Sequence, residues 1–444
     1  MQAGPHALIT APSIIAIIPL FLYIIMSLRG KNSVSALIIS VTTGVLLLNV
    51  SLVEIGKGWQ KALGQTPVLI GSIIMLGTGL GLLMTKARVT HTLVLWIIKL
   101  IGVNTRTRAK VCLIVCSTLV CGLLGTLGGG NAIIAPLIIP IMAQLGITPT
   151  VTMVLLMVAG QIGLVIGPTA VACITTLGIT GLSYGEYMLY TAGPYCLFWI
   201  VFTWIGANRA QKNTEGVEAY EVSADMKNID EIVVTKKEKI TTIAFLVTFI
   251  GLIAWGIMAG AGTSYAVTVM LLLCAVISIC SGIGIDETVG YLAQGVAKNA
   301  SRFLLYVFFV MMTTVVNLGG GFDALSALIT KVASGGGATG MMIIASFVGG
   351  FGIEAATAIE LQLIADMFME VSLGLGLPMV CFATVMMASN RLTGNLYPTS
   401  NFVGEMAIAQ CDNTKEALKG LWWGCAGQIL WVVIYAFIGP MLLG

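Results

Sequence analysis

Apolar runs of about twenty residues recur along the whole chain, and short polar or glycine-rich turns separate them. A helix of that length crosses the hydrocarbon core of a bilayer, which is roughly 30 Å thick. Lipid offers no partner to free backbone N–H and C=O groups, so runs of this kind form helices. The pattern therefore predicts an all-α polytopic membrane protein.

One long polar stretch of mixed charge, residues 207–239, interrupts this pattern. It predicts a linker between two halves of similar length, residues 1–206 and 240–444. Both halves show the same order of elements, which indicates an internal repeat. Each has two apolar spans, an amphipathic segment, a third span ending in a glycine break, a pair of segments split by a glycine-rich polar turn, a segment broken at Pro-Thr, and a final span.

The positions of these elements correspond between the halves. In the first half the two opening spans cover residues 8–28 and 35–53, and the glycine break covers 76–81. The split pair covers residues 113–146, the Pro-Thr break 167–170 and the final span 187–207. In the second half the two opening spans cover residues 240–260 and 265–282, and the glycine break covers 317–322. The split pair covers residues 341–374, the Pro-Thr break 397–400 and the final span 421–443. We interpret the split pairs as re-entrant hairpins, because each arm is judged too short to span and a polar tip would otherwise face lipid. The alternatives are a spanning pair with a tight turn, or one kinked helix.

Five spans per half is an odd number, so the second half is predicted to enter the membrane upside down. Basic residues decide the orientation through the positive-inside rule. With the N-terminus outside, the basic residues at 29–31, 86–110, 207–239, 298–302 and 415–419 all fall inside, and only Lys57, Lys61 and Lys331 fall outside. We expect both termini outside, the linker in the cytoplasm, and the chain in the plasma (inner) membrane. The first run is followed, not preceded, by its basic residues, which indicates a transmembrane helix and not a cleaved signal.

Composition narrows the function further. Only 9% of residues are charged, against about 25% in soluble proteins. The ten cysteines are scattered along apolar helices as small hydrophobic residues, and His6 and His91 are the only histidines, which argues against zinc or haem. No phosphate-binding loop and no nucleophile–base pair is present, so we expect neither an ATP-driven pump nor an enzyme, and no nucleic-acid partner.

Inverted repeats with hairpins and broken helices are typical of secondary transporters, whose substrate site lies at the membrane midplane. Four breaks, at residues 128–131, 167–169, 350–355 and 390–400, are predicted to converge there. Free N–H groups at a helix break attract anions, and free C=O groups coordinate a cation such as Na⁺. The expected substrate contacts are Asn131, Gln161, Thr169, Glu354, Asn390, Arg391, Thr399 and Ser400.

Two of these residues carry charge within apolar segments, where charge is costly and usually functional. Arg391 either binds a substrate carboxylate with its planar fork or forms a structural ion pair with Glu354 or Glu360. Glu354 either caps the return helix of hairpin two or carries a coupling proton or cation. Asp366 and Glu370 are expected near the outer surface, in contact with water.

Two stretches resemble a known group. "GTLGGGNAIIAPLIIPIMAQLGITPTVTMVLLMVAGQIGLVIGPTAVA" and "IELQLIADMFMEVSLGLGLPMVCFATVMMASNRLTGNLYPTSNFVG" are similar to the hairpin-plus-broken-helix units of the ion transporter superfamily. The chain most resembles the large membrane subunit of TRAP-type carboxylate transporters and the related stand-alone permeases for citrate, gluconate and C4-dicarboxylates. Its "GGGN" tip and single prolines differ from the serine-rich tip and doubled proline of the TRAP subunits.

The resemblance implies an elevator-type carrier in which a hairpin domain slides against a scaffold of the opening spans. It also implies Na⁺ as coupling ion at two sites. These would be Gly130, Asn131, Gly167 and Thr169 in the first half, and Gly352, Glu354, Asn395 and Thr399 in the second. A stand-alone permease would be a homodimer, whereas a TRAP subunit would need a small membrane subunit and a binding protein.

Taken together, the sequence predicts a transporter of a small organic anion, most simply a carboxylate, coupled to Na⁺ or H⁺. Two other functions stay open. The chain could be a Na⁺/H⁺ antiporter with Glu354 or Glu360 as the exchanging acid, or a TRAP-type subunit. An amino-acid substrate is a further possibility, with Arg391 on its carboxylate and Glu354 on its ammonium group.

Overall fold

The computed structural model describes residues 1–443 apart from residues 30, 221–233, 262, 334–335 and 353–356. Helices dominate the described chain, and none of these residues forms a β-strand longer than an isolated bridge. Within this described part of the chain, eight helical segments are long and apolar enough to cross a membrane. The prediction of an all-α polytopic membrane protein is therefore confirmed.

The first half contains helices α1 to α11, with a 3₁₀ turn at Ile14–Ile17 and a π-helical stretch at Tyr187–Ala192 just before α11. Their bounds are Ile18–Leu28 (α1), Ser33–Leu47 (α2), Leu52–Leu63 (α3), Thr66–Lys86 (α4), Val89–Ile101 (α5), Arg106–Leu124 (α6), Leu127–Gln144 (α7), Pro149–Ile166 (α8), Val171–Thr180 (α9), Tyr184–Glu186 (α10) and Gly193–Thr214 (α11).

The second half contains helices α12 to α20, with a 3₁₀ turn at Thr393–Asn395 before α19. Their bounds are Lys236–Met258 (α12), Tyr265–Ser281 (α13), Ile285–Leu318 (α14), Gly321–Ala333 (α15), Gly337–Gly352 (α16), Thr357–Gly374 (α17), Met379–Arg391 (α18), Ser400–Ile408 (α19) and Thr414–Leu443 (α20). Helices follow one another in the same order in both halves, except that α14 takes the place of α3 and α4 together. The inverted orientation of the halves stays a prediction.

Helix α4 corrects the expectation of a glycine break at residues 76–81, because it continues through all of them. These glycines serve close packing instead. A Cβ added to Gly79 would lie 2.7 Å from Leu292 Cα, and one added to Gly295 would lie 2.4 Å from Gly79 N. The chain breaks only after Lys86, where Arg88 adopts a left-handed conformation with φ 57°. The second-half break at residues 317–322 is present, since α14 ends at Leu318 and α15 begins at Gly321.

The arms of the first predicted hairpin, α6 and α7, are longer than expected. They contain 19 and 18 residues, which correspond to about 28 and 27 Å of helix. Both belong to the eight segments that are able to cross a membrane by length and composition. The argument that each arm is too short was therefore wrong for this pair, and arm length does not separate a re-entrant hairpin from a spanning pair.

The helices pack into two groups. The first group consists of α1–α4 and α12–α14, where α4 lies along α14. The second group consists of α6–α9, α11 and α16–α20, where α11 lies along α20 and α6 along α8. Helix α4 makes most of the contacts between the groups, through α6, α9 and α17. Helices α5 and α15 connect the groups, since α5 touches α12 and α6, and α15 touches α14 and α17.

The predicted linker at residues 207–239 is helical at both ends, because α11 continues to Thr214 and α12 begins at Lys236, and its residues 221–233 lie outside the described residues. The residues just after α11 lie over the starts of α8 and α20. Glu218 accepts hydrogen bonds from Thr150 N and Oγ1, at 3.3 and 2.6 Å, and from Asn413 Nδ2 at 2.7 Å. One carboxylate thus joins the start of α8 in the first half to the start of α20 in the second. Nearby, Arg106 donates to Glu215, and this bond holds the pKa of that carboxyl below its usual range.

Helices α6 and α8 approach closely at Gly163, and this contact yields a stability prediction. A Cβ at Gly163 would lie 2.3 Å from Thr118 O and 2.9 Å from Gly122 N, both backbone atoms that cannot rotate away. We expect Gly163→Ala to destabilise the protein by about 1–3 kcal/mol, as overpacking of a close contact does. Thermal unfolding in detergent measures the change.

The matched control is Gly251→Ala on α12, where an added Cβ would meet nothing within 4 Å. This change should leave stability unaltered or raise it by up to about 1 kcal/mol, because alanine favours a helix more than glycine does. Equal melting temperatures for the two variants would contradict the close α6–α8 contact.

Candidate functional site

Polar side chains lie deep in the second group, where the hairpin of the first half meets the broken helix of the second. We call the first set the hairpin cluster; it consists of Ser117 and Cys121 on α6, Asn131 on α7 and Glu405 on α19. All four side chains are buried. Glycines permit this density, since a Cβ added to Gly130 would lie 2.6 Å from Cys121 Sγ.

Asn131 uses every hydrogen-bonding position of its amide within the cluster. Its Nδ2 donates to Leu156 O at 3.0 Å and to Glu405 Oε2 at 2.9 Å. Its Oδ1 accepts from Ser117 Oγ at 2.6 Å and from Cys121 Sγ at 3.3 Å. Because a backbone carbonyl only accepts, the bond to Leu156 O fixes which end of the amide faces Glu405.

Glu405 is 1% exposed, and its second oxygen, Oε1, has no hydrogen-bond partner among the described residues. That oxygen lies near the start of α7, 4.0 Å from where a Cβ on Gly128 would stand. The side chain of Thr126, the residue before α7, does not cap the helix. A carboxylate beside the N-terminus of a helix is electrostatically favourable, so α7 and Asn131 together hold Glu405 in the apolar interior.

A second contact joins the two Pro-Thr regions. Asn395 Nδ2 donates to Gln161 Oε1 at 3.2 Å, and Asn395 Oδ1 has no partner among the described residues. Thr169 Oγ1 donates to Gly122 O at 3.3 Å. Gly167 approaches the same carbonyl so closely that an added Cβ would lie 2.6 Å from it. The structure therefore brings Gln161 and Asn395 together across the halves, while Thr169 faces α6.

We call the third set the arginine cluster; it consists of Glu360 on α17 and of Asn390 and Arg391 at the end of α18. Asn390 Nδ2 donates to Glu360 Oε2 at 2.6 Å. Arg391 is 9% exposed, and its Nε has no hydrogen-bond partner among the described residues. Glu360 is the one carboxylate whose charge acts on the guanidinium among the described residues. A buried cation with an unused N–H is a strong attractor for an anion.

Tyr187 and Tyr195 tie the arginine cluster to neighbouring helices. Tyr187 Oη donates to Val165 O at 2.8 Å and lies 3.2 Å from Met387 Sδ. Tyr195 Oη accepts from Gln428 Nε2 at 2.9 Å. The first two contacts join the π-helical stretch to α8 and α18, and the third joins α11 to α20, so residues of both halves pack against α18.

The remaining predicted residues are less central. Thr399 accepts from Phe402 N at 3.2 Å as the N-cap of α19, and Ser400 is exposed. Gly352 is the last residue of α16. Glu354 lies outside the described residues.

Na⁺ at the first predicted site would need oxygen ligands. Asn131 fits this role poorly, because its oxygen already accepts two hydrogen bonds and its NH₂ group faces the one nearby carboxylate. Glu405 offers a free carboxylate oxygen at this place, and Thr169 keeps its lone pairs. No group of three or more His, Cys, Asp or Glu residues suited to a metal occurs in the described part of the chain.

Glu405 is the residue that the sequence analysis missed. It is an isolated acid in the apolar stretch "NFVGEMAIA", five residues after Ser400. An acid alone within an apolar segment next to a helix break is the signal that could have identified it.

A large polar cavity of about 810 Å³ opens elsewhere, between the two helix groups. Helices α3, α4 and α14 form one wall, and α9, α15 and α17 the other. Its lining includes Asp323, Asp366, Glu370 and Lys61. Asp366 is half-buried and accepts from Gln362 Nε2 at 2.8 Å, whereas Glu370 is exposed as expected. Neither the hairpin cluster nor the arginine cluster lines this cavity.

No protein-family model matches the chain, and no curated protein does either. Among solved structures it is similar to that of MtrF from Neisseria gonorrhoeae. The structure and function of MtrF are described as illuminating a class of antimetabolite efflux pumps. The TM-score is 0.61, the sequence identity is 16%, and 96% of each chain is covered. The chain thus shares the fold of MtrF over nearly its whole length. This likeness shows the fold alone, so the transporter function and the narrower resemblance to TRAP subunits and carboxylate permeases stay predictions.

The bond between Asn131 and Glu405 can be tested by a double-mutant cycle. Asn131→Leu removes both donors and leaves a buried carboxylate oxygen without a partner, which costs about 1–3 kcal/mol. Adding Glu405→Met removes that unsatisfied group, so the double variant should be more stable than the sum of the single changes predicts. Thermal unfolding of the four proteins measures the coupling. Additive effects would contradict a direct bond.

Proposed function

We propose that this protein is a secondary active transporter of a small organic anion, most simply a carboxylate, driven by Na⁺ or H⁺ through an elevator mechanism. The observation that carries the proposal is the buried Arg391, whose Nε lacks a partner among the described residues in a cluster shared by both halves. The transporter fold supports the class, and the arginine supports the charge of the substrate.

Arg391 would bind the substrate carboxylate. A guanidinium presents its donors in a planar fork that matches a carboxylate, and an apolar environment strengthens that pairing. The alternative role, a structural pair with Glu360, is weakened because Glu360 is already bound by Asn390. Asn390 Oδ1 and Asn395 Oδ1, both without a partner among the described residues, would then accept hydrogen bonds from substrate hydroxyl or amino groups.

The coupling cation would act at Glu405. This carboxylate sits at the hairpin tip, and a bound Na⁺ or proton would neutralise it. Loss of its charge would weaken its bond to Asn131 and its attraction to the start of α7. Since α19 and α7 belong to different halves, cation binding would change how the hairpin packs against the broken helix. The same acid would serve the alternative function, a Na⁺/H⁺ antiporter.

The two helix groups suit an elevator. The second group would move, and the first would stay fixed in the membrane, with α5 and α15 as connecting arms. Both arms begin at backbone positions of positive φ, Arg88 at 57° and Gly320 at 66°, and α5 also ends at one, Gly102 at 64°. Such positions give α5 a sharp turn at both ends and α15 one at its start, as a hinge requires.

The direction of transport is a separate part of the proposal. MtrF is described as an efflux pump, so export of an anion stands beside uptake. In a coupled carrier the gradients across the membrane set the direction, and the same site serves both.

Substitution of Arg391 tests the substrate site. Arg391→Ala should lower the apparent affinity for the anion by at least about tenfold, because a charged hydrogen bond contributes roughly 1.5–3 kcal/mol. Arg391→Lys should restore transport only weakly, since lysine lacks the fork. The exposed Arg302, changed to Gln, is the control. If Arg391→Ala unfolds the protein and Arg391→Met with Glu360→Gln restores folding, the arginine is structural.

Substitution of Glu405 tests the coupling. Glu405→Gln keeps the size of the side chain and an oxygen that accepts from Asn131, but it cannot bind a proton or a cation by charge. We expect gradient-driven accumulation to be lost while exchange of labelled for unlabelled substrate persists. Glu370→Gln, at an exposed acid of the polar cavity, should accumulate substrate normally. Normal accumulation by Glu405→Gln would rule this residue out as the coupling group.

The decisive experiment for the function is transport by the purified chain alone in proteoliposomes. A panel of labelled carboxylates and amino acids is offered with a Na⁺ gradient, then with a proton gradient, in both orientations. Concentrative transport of a carboxylate would establish an autonomous coupled carrier and name its ion. Cation-dependent proton movement without any substrate would establish the antiporter. If neither substrate transport nor proton movement occurs under any of these conditions, the chain needs a binding protein and a small membrane subunit.

A further inference from the structure

A groove of about 340 Å³ lies between the end of α11 and the start of α20. Its lining includes Arg209, Asn213, Glu416, Lys419, Trp422 and Trp423. The two helices approach closely at its floor, since a Cβ added to Gly206 would lie 2.2 Å from Gly420 O. The candidate spans Tyr184–Thr214 and Thr414–Met441 end and begin here, so the groove lies at the depth where lipid headgroups meet the hydrocarbon.

Arg209 is the cation of this groove that lacks a counterion. Its guanidinium stacks over Trp423, with Cζ 4.3 Å from the ring centroid. The side chain is exposed, and no hydrogen bond or ion pair of Arg209 occurs among the described residues. Stacking fixes the plane of the guanidinium and leaves its N–H groups free to bind an anion.

The other charges of the groove cancel one another. Glu416 forms an ion pair with Lys419 and accepts from Asn213 Nδ2 at 2.9 Å. Two basic side chains and one acidic side chain therefore leave one net positive charge in the lining. That charge matches a ligand with a single negative charge.

The groove also changes from polar to apolar along its length. From Lys419 it continues past Trp422 to Ala426, seven residues or about 10 Å deeper along α20. Trp422 is 49% exposed, and its Nε1 donates to Leu396 O at 2.9 Å, so the ring is held in place while one face stays open. Tryptophan at a membrane interface lies at headgroup level, with its ring toward the acyl chains.

We propose that this groove binds an anionic phospholipid. The phosphodiester would pair with Arg209, and Asn213 and Lys419 would contact the headgroup. The first part of an acyl chain would lie against Trp422 and Ala426. Single negative charge, a polar end and an apolar end are all properties of a phosphatidylglycerol-like lipid, whereas a soluble phosphate would leave the apolar part of the groove uncovered.

Native mass spectrometry of the full chain tests this, with the protein in nanodiscs of phosphatidylcholine containing a minor share of phosphatidylglycerol. The wild-type chain should retain phosphatidylglycerol in preference to phosphatidylcholine. Arg209→Gln should reduce that preference by about fivefold, the effect of one basic residue near a membrane surface. Arg209→Lys, which keeps the charge but loses the stacked fork, should have an intermediate effect.

Lys212→Gln is the matched control, because Lys212 is exposed on α11 one turn beyond Arg209 and does not line the groove. It should retain the wild-type preference. Equal loss in Lys212→Gln and Arg209→Gln would overturn the proposal in favour of diffuse surface charge, and unchanged retention by Arg209→Gln would overturn it outright. Displacement of phosphatidylglycerol by millimolar inorganic phosphate would assign the site to a soluble anion instead. Lipid retention is measured without substrate, so the result does not depend on the proposed transport function.

Discussion

A helix that is interrupted inside an apolar protein must find partners for the polar groups that the break exposes, and lipid supplies none. In this chain two of these partners come from the opposite half. The amide of Asn131, near the start of α7, is bound by α6 and α8 of its own half and by Glu405 on α19 of the other half. The amide of Gln161 is met by Asn395. The bonds Asn131–Glu405 and Asn395–Gln161 therefore join the two halves near their Pro-Thr breaks.

The buried charged side chains need partners for the same reason. The buried acids near the breaks are stabilised by amides and by a helix N-terminus: Glu405 by Asn131 and the start of α7, and Glu360 by Asn390. Arg391 is buried at the end of α18, and its Nε–H has no partner among the described residues. Because a half-satisfied charge is costly in an apolar interior, its position favours a ligand that completes the pairing. The proposed anion site at Arg391 and the proposed cation site at Glu405 lie on different helices, α18 and α19.

Glycine plays two different roles in the fold. Between α4 and α14, and between α6 and α8, it allows backbones to touch, so these pairs pack as close units. At Gly102 and Gly320 it supplies positive φ at the ends of the arms α5 and α15. Close packing within each helix group and sharp turns between the groups together give a molecule whose groups are internally firm and joined through short arms.

By itself the sequence determined what depends on the free energy of transferring segments from water to lipid. It predicted the helical membrane class, the polar linker, the order of elements, and a break after Gly167 and again near Pro398. It also singled out Arg391, because an arginine between apolar runs is visible without any structure. The helix break that the local pattern predicted at glycines within residues 76–81 was wrong. A glycine that breaks a helix and one that lets a neighbouring helix approach look alike in sequence.

Only the tertiary structure decided which polar groups face one another. Asn131 and Glu405 are 274 residues apart, and Gln161 and Asn395 are 234 apart, so no local pattern joins them. Asn131 was expected to be open to substrate and Na⁺, yet its four hydrogen bonds depend on helices that pack around it from both halves. Glu405 is identified as a candidate site residue only by the groups that surround it in the folded structure. Burial and hydrogen bonding are properties of the packed interior, and these, rather than residue type alone, determine which side chains remain free to bind.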